Sequence, residues 1–225
     1  EMEGHYVDGR KNGVWIWWFD SGIKQSEGHY VDDEQDGLWS YFAKDGSVAE
    51  EITFSGGKRD GRSTVWLTPE EKQEEKFYKN GKLDGPSTFW ENGYRSTMTT
   101  YKSDSPEGPW VIWFSNSDQI KEQGFHQKGI REGLTTYYYE DGTMQREGFF
   151  KEGLPDGMWT YWNKEGEKDF DFDFGSGLQH ISLEDLVERE STFYKLGEDT
   201  PFTGIITQEN PEADYLFLGR TKGGK

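Results

Sequence analysis

Four histidines are the first side chains to consider for chemistry, because an imidazole can transfer protons or bind a metal near neutral pH. They are His5, His29, His126 and His180, and the first two lie 24 residues apart. A site built on two histidines would need further metal ligands, which the surrounding sequence does not identify. No nucleophile elbow, metal-protease motif or phosphate loop accompanies them. The sequence therefore predicts no enzymatic activity, no metal and no cofactor.

A second set of chemical groups lies in the acidic stretch from Asp169 to Phe174, which reads Asp-Phe three times. Strict alternation places Asp169, Asp171 and Asp173 on one face of a strand and the phenylalanines on the other. A calcium loop of the EF-hand kind needs glycine at its sixth position and glutamate at its twelfth, but Phe174 and His180 stand there. We therefore favour a strand whose charged side discourages edge association.

Tryptophans form the remaining candidate site. Trp15, Trp39, Trp110 and Trp159 each follow a regularly spaced glycine by two residues. An exposed row of such rings could stack on sugars or hold a peptide. Alternatively, each ring covers the neighbouring structural unit as part of the core. These four tryptophans are our candidate binding surface, and their exposure separates the two interpretations.

The elements that must position these residues repeat along the chain. The repeat is marked by Gly13, Gly37, Gly61, Gly85, Gly108, Gly133 and Gly157. Five residues after each glycine comes an aromatic: Trp18, Phe42, Trp66, Trp90, Trp113, Tyr138 and Trp162. A step of about 24 residues fits one β-hairpin, which must bury its apolar side against its neighbours. Residues 1–167 are thus predicted to form seven hairpin repeats in a single elongated, all-β solenoid.

Two turns are predicted in each repeat. Asn-Gly and Asp-Gly pairs such as Asn12-Gly13 and Asp36-Gly37 favour a tight turn at the repeated glycine. The second turn follows the aromatic run, as at Asp20-Ser21-Gly22. The third and fifth repeats have Thr68-Pro69-Glu70 and Asn116-Ser117-Asp118 instead. Those two turns are expected to be longer or of another type.

The repeat pattern stops after residue 167. Residues 168–198 are predicted to hold the acidic strand and one short helix from about Ser182 to Glu190, with Ser182 as N-cap. Leu183, Leu186 and Val187 would form its apolar face. The helix would cap the sheet end, or alternatively dock a partner. Residues 199–225 are interpreted as a degenerate partial repeat.

Composition limits the partners of this chain. Its 225 residues include 43 acidic and 25 basic side chains, for a net charge of −18. Such a charge opposes binding to nucleic acid and anionic membranes, and no stretch approaches the roughly 20 apolar residues of a membrane helix. A basic partner would be attracted. There is no cysteine for disulfides or thiolate metal sites.

Two runs show a resemblance to a known family. Tyr78-Lys79-Asn80-Gly81-Lys82-Leu83-Asp84-Gly85 and Gly157-Met158-Trp159-Thr160-Tyr161-Trp162 resemble MORN repeats, in the variant form common in bacteria. The resemblance covers residues 4–167 and weakly 200–225, whereas 168–198 depart from it. It implies a hairpin solenoid without catalytic residues, used as a scaffold or binding module. One bacterial branch is labelled as the antitoxin component of toxin–antitoxin pairs.

We accordingly predict a non-enzymatic protein-protein interaction scaffold with a basic or apolar protein partner. One alternative is an antitoxin-like binder that neutralises a basic toxin. Another is a carbohydrate or cell-wall binding module that uses an exposed aromatic row, which other hairpin-repeat proteins suggest by analogy. The chain opens at Glu1 inside a repeat, so we expect residues upstream, and a cleaved signal peptide and a trimmed sequence explain this start equally well. The compartment is left undetermined, with a mature secreted or surface-exposed bacterial protein slightly favoured over a cytoplasmic one. Homo-oligomerisation is left undetermined by the sequence.

Overall fold

The computed structural model describes residues 1–175 in full and, beyond them, the strands at 179–182, 186–189, 192–195, 204–210 and 213–221. These described residues form strands, turns and connections, with no helix among them. The all-β prediction is therefore confirmed for this part of the chain.

Most strands belong to one antiparallel sheet in which they are neighbours in sequence order, and the short β12 pairs with β11 only. They are β1 (Met2–Val7), β2 (Arg10–Trp18), β3 (Lys24–Val31), β4 (Glu34–Phe42), β5 (Val48–Ser55), β6 (Lys58–Thr68), β7 (Glu71–Lys79), β8 (Lys82–Glu91), β9 (Tyr94–Lys102), β10 (Ser105–Trp113), β11 (Ile120–Gln127), β12 (Ile130–Arg131), β13 (Gly133–Tyr138), β14 (Met144–Lys151), β15 (Leu154–Trp162) and β16 (Lys168–Asp173). Successive hairpins thus build the sheet, as the repeat predicts.

The chain divides into two compact units. The first contains residues 1–130 and 137–143, and the second contains residues 131–136 and 144–225. The strands from β1 to β11 lie in the first unit up to Gln127, and β14 to β16 lie in the second. The predicted domain boundaries at 167/168 and 198/199 are a separate division and stay a prediction.

The turn predicted at each repeated glycine is wrong, because the chain turns four residues earlier. Asp8-Gly9 and Asn80-Gly81 form two-residue turns in which both residues have positive φ, at 50° and 79° and at 51° and 83°, as the tightest hairpins require. Gly13 instead lies inside β2 with a φ of 75°. There it serves a bulge, since three residues of β2 face one residue of β1.

The acidic residue before the repeated glycine ties one hairpin turn to the next. The Asp60 carboxylate accepts the Asn80 backbone N–H at 2.9 Å. Glu107 does the same for the Lys128 N–H at 2.7 Å, and this contact also joins successive turns. The acidic residue before the repeated glycine therefore accepts a hydrogen bond from the turn of the next repeat.

The second set of turns agrees with the sequence. Gly22 and Gly46 have φ values of 80° and 89°, and the first of these turns is closed by the Phe19 N–H donating to the Ile23 carbonyl at 2.8 Å. In the third repeat the two-residue turn at 69–70 is of another type. In the fifth repeat the bond from the Phe114 N–H to the Gln119 carbonyl closes a turn one residue longer.

Most of the large buried side chains lie on one face of the sheet, which we call the core face, although Thr64 and Trp113 on the opposite face are also buried. Trp15, Trp39, Trp110 and Trp159 are each only 2% exposed. Of the two interpretations of these four tryptophans, the structure therefore agrees with the core one, and they do not form an exposed row. For Trp15, Trp39 and Trp159 the physical reason is that the preceding strand offers a glycine, which leaves room for the indole to lie flat against the backbone.

The contact of Trp39 shows this packing. A Cβ atom placed on Gly28 would lie 2.2 Å from the Trp39 ring, so only glycine fits beneath it. The indole Nε1–H donates to the backbone carbonyl of His29 at 3.1 Å. Edge-to-face contact with Tyr30, at 5.0 Å between ring centroids, adds to the packing. Trp15 over Gly4 and Trp159 over Gly148 repeat the arrangement.

In the repeats described so far a tryptophan lies over a glycine of the preceding strand. Two repeats of the first unit have the opposite arrangement, a small residue opposite a larger one. Ser63 and Ser87 occupy the tryptophan position and are 3% and 2% exposed. Ile52 stands where the second hairpin has Gly28, and its Cα is the partner of Ser63. A small residue on one strand is therefore matched by a larger one on the strand before it, which keeps the core face filled.

The acidic strand is confirmed as β16. Phe172 is paired with Trp159 on the core face, and Asp171 is paired with Thr160 on the other face. Phe174, just after the strand, is buried at 4% exposure. The alternation of aspartate and phenylalanine therefore separates charge from core, as predicted.

The helix predicted over 182–190 is not confirmed. Ser182 ends β17 (Gln179–Ser182), and β18 (Leu186–Arg189) pairs antiparallel with β19 (Thr192–Lys195). Residues 183–185 and 190, including Leu183, lie outside the described residues. A single short helix is marginal, whereas the β-branched and aromatic residues of β19 offer a pairing strand. β20 (Gly204–Asn210) pairs with β21 (Ala213–Thr221) and in parallel with β17, and a partial repeat there stays a prediction.

Candidate binding face

The face opposite the core, which we call the open face, carries three rows of side chains that run across the strands. Residues whose Cα atoms are partners in neighbouring strands point to the same side of a sheet. The middle row, here the carboxylate row, is a continuous series of such partners in the first unit: Glu3, Ile16, Glu27, Ser40, Glu51, Thr64, Glu75 and Thr88. A carboxylate therefore recurs on every second strand.

The second unit continues the same chemistry. Glu147 is paired with Thr160, which is paired with Asp171. The Thr160 hydroxyl donates to the Asp171 carboxylate at 2.9 Å. Hydrogen bonds from Lys168 first, and then from Thr160, hold the pKa of Asp171 below its ordinary value. The Asp171 carboxylate is therefore negatively charged at neutral pH.

On one side of the carboxylate row lies the aromatic row, formed by the rings five residues after each repeated glycine. In the first unit Trp18, Phe42, Trp66, Trp90 and Tyr138 are half-buried and Trp113 is buried, and in the second unit Trp162 is half-buried. Trp18 is paired with Lys24, Phe42 with Val48 and Trp66 with Lys72. In two of these three pairs a lysine thus lies beside a ring, an arrangement that favours cation–π contacts.

On the other side lies the apolar stripe, which sequence reasoning missed. In the first unit it is formed one residue after each repeated glycine by Val14, Leu38, Arg62, Pro86 and Pro109, and in the second unit Leu134 and Met158 hold the same repeat position. All seven are exposed, and Val14 and Met158 reach 59% and 57%. Six of the seven are apolar at a position that the fold leaves in solvent. This recurrence of apolar residues one position after each repeated glycine is the sequence signal for the stripe, and it is masked by the larger rings of the same strands.

The described histidine side chains, His5, His29 and His126, lie on different strands. His29 is exposed and is the partner of Val14 beside the apolar stripe. The half-buried His126 ring lies 5.6 Å from the Trp110 ring between centroids. Within the described residues, no group of three histidine, aspartate or glutamate side chains is placed to hold a metal ion. The same part of the chain has no helix with the length and apolar character needed to span a bilayer.

Comparison with known proteins identifies the repeat. Residues 11–32 and 131–152 match the family described as MORN repeat variant. The first segment covers most of the hairpin from β2 to β3, and the second includes all of β13 and β14. The recognition of MORN-variant repeats from the sequence is confirmed at these two places. No curated protein matches the chain.

Proposed function

We propose that this chain, which contains MORN-variant repeats, is a non-enzymatic scaffold that binds a basic protein segment along its open face. MORN repeats are generally repeat modules for binding and not catalysts. The observation that supports the partner's chemistry is the carboxylate row, which runs between exposed apolar side chains and half-buried rings. A segment that combines lysine or arginine with apolar residues complements the carboxylates through its charge and the apolar stripe through its apolar side chains.

The two kinds of contact have different roles. A net charge of −18 attracts a basic partner over distance and raises its association rate, an effect that salt screens within about 10 Å. The apolar stripe supplies contact area, because Val14 and Leu38 are 59% and 52% exposed and each 100 Å² removed from water is worth about 2.5 kcal/mol. We expect affinity that weakens with salt without disappearing.

An antitoxin-like role would be a special case in which the basic partner is a toxin. A carbohydrate-binding role has lost its main support, since the four tryptophans proposed for it are in the core. The rings of the aromatic row are the remaining surface for sugars. A comparison of peptide and glycan ligands separates the two classes of partner.

The test compares fluorescent peptides of repeated Lys-Leu-Lys-Gly and Glu-Leu-Glu-Gly units by anisotropy at several salt concentrations. We expect only the basic peptide to bind. Leu38→Lys, on the apolar stripe, should weaken binding about fivefold or more, roughly 1 kcal/mol. Leu67→Lys is the matched control, because Leu67 is also an exposed leucine (63%, against 52% for Leu38) and lies in a bulge outside the three rows. Its affinity should stay within about twofold.

Three outcomes would contradict the proposal. The acidic peptide could bind as well as the basic one, or the two leucine variants could lose the same affinity. Alternatively, soluble cell-wall glycan fragments could bind more tightly than the basic peptide with little effect of salt. That last result would favour the carbohydrate-binding alternative.

A further inference from the structure

Two lysines of the first unit show how the open face holds an ammonium group. The Lys24 Nζ lies 2.6 Å from the Glu27 carboxylate and 5.5 Å from the centre of the Phe42 ring. Glu27 belongs to the carboxylate row, and Phe42 belongs to the aromatic row. The ammonium is therefore held between a negative charge and a π face, both of which attract a cation.

The same arrangement recurs two hairpins later. The Lys72 Nζ lies 2.7 Å from the Glu75 carboxylate and 5.8 Å and 5.5 Å from the Trp66 and Trp90 ring centres. Lys24 and Lys72 occupy the same position in their repeats, 48 residues apart, and each acid follows its lysine by three residues. The repeat geometry itself therefore places an ammonium at this position.

The intervening hairpin keeps the carboxylate and the rings but not the lysine. Val48 stands at the lysine position, with Phe42 as its Cα partner. Glu51 follows three residues later on the carboxylate row, and Trp66 lies on the next strand of the aromatic row. Glu51 makes no ion pair within the described part of the chain. The Trp66 Nε1–H is buried without a hydrogen-bond partner.

We infer that Glu51, Phe42 and Trp66 form a binding site for the ammonium group of a lysine supplied by the partner. We call these three residues the Glu51 clasp. The inference rests on the proposed function and names one anchor within it. Lysine suits the site because the equivalent places in the two flanking repeats already hold the ammonium groups of Lys24 and Lys72. Val48 adds an apolar surface for that stem.

The test uses a small probe instead of a whole partner. Acetyl-Gly-Lys-Gly-amide is titrated into the ¹⁵N-labelled full chain, and the Trp66 indole N–H resonance is followed by NMR. Acetyl-Gly-norleucine-Gly-amide, which keeps the stem without the charge, is the control probe. The lysine probe should shift the Trp66 resonance with an affinity at least about tenfold greater than the norleucine probe.

Two substitutions at one position supply the matched variants. Val48→Lys gives the chain its own ammonium, as in the flanking repeats, and should weaken the lysine probe about tenfold or more. Val48→Met should leave its affinity within about threefold, since Met144 occupies this position in another repeat. Both replacement residues occur naturally at this place in the fold, so both variants should remain folded.

The reciprocal substitution is Lys72→Val, which removes the ammonium beside Glu75, Trp66 and Trp90. The lysine probe should then bind there as well and shift the indole N–H resonance of Trp90. The inference is overturned if norleucine shifts Trp66 as strongly as lysine, or if Val48→Lys leaves lysine binding unchanged. Either result leaves the proposed function to be judged separately, because the Leu38→Lys test with the longer peptide does not involve position 48.

Discussion

Replacing Gly28 with alanine should disrupt the contact on which the core face depends. The added methyl carbon would lie 2.2 to 2.5 Å from three atoms of the Trp39 indole, well inside the roughly 3.5–4.0 Å at which carbon atoms pack. Gly28 does not have a positive φ, so its backbone tolerates alanine. The effect is therefore a steric collision with the indole, which has to move.

The expected cost follows from what the indole loses. Trp39 is 2% exposed, and a buried aromatic side chain removes about 150–250 Å² from water. Returning about 100 Å² of this area to solvent costs about 2.5 kcal/mol. Loss of the 3.1 Å bond from Nε1–H to the His29 carbonyl costs about 1 kcal/mol. We expect the free energy of unfolding to fall by about 3–4 kcal/mol.

Urea unfolding followed by circular dichroism and tryptophan fluorescence measures this change. Gly9→Ala is the control, because Gly9 has a φ of +79° and a Cβ added to it would meet no atom within 4 Å; it should lose only about 1–2 kcal/mol of backbone preference. Combining Gly28→Ile with Trp39→Ser copies the natural pair Ile52 and Ser63. That double variant should be about 2 kcal/mol more stable than the sum of its single variants.

The reasoning about the core face is refuted if Gly28→Ala costs no more than Gly9→Ala. It is also refuted if the two substitutions of the double variant are simply additive. Either result would mean that the indole adjusts to the strand beneath it without losing its burial.

Two further predictions concern a turn and a buried phenol. Asp60→Ala removes the acceptor of the Asn80 N–H, so amide hydrogen exchange at Asn80 should accelerate, whereas Asp20→Ala in another turn should not affect it; equal exchange in both variants would contradict the bond between turns. Burial raises the pKa of Tyr161 above its ordinary value of about 10, partly opposed by Arg146. The folded chain then keeps the phenol proton where the unfolded chain loses it, so this contribution to stability is complete below pH 10 and declines as pH rises through the folded pKa. Urea midpoints at alkaline pH should decline less steeply for Tyr161→Phe, and identical slopes would refute the assignment.

Much of the fold was predictable because it depends on local preference and period. Hairpins follow from a 24-residue step with glycine-containing turns, and the faces of β16 follow from alternation. The position of the first turn was not predictable from Gly13, since positive φ suits both a turn and a bulge. Pairing of Glu3 with Ile16 and of His5 with Asn12 distinguishes the two.

The candidate site was missed for a related reason. In the run Val14 to Phe19, both faces of the strand carry large apolar groups, so alternation cannot say which face is the core. The glycine on the neighbouring strand makes the difference, because Gly4 lets the Trp15 ring lie against the backbone and leaves Val14 in solvent. That relation joins residues on different strands and becomes visible only through their register.

The linear order of residues was sufficient to establish an acidic chain of β-hairpins with a 24-residue repeat, since strand and turn preferences act over a few neighbouring positions. Strand pairing in space assigned the tryptophans to the core and aligned Glu27, Glu51 and Glu75 into one row. Residues 24 apart in the chain line up in one row only when their hairpins are hydrogen-bonded in register. The burial of a side chain is likewise a property of the assembled sheet.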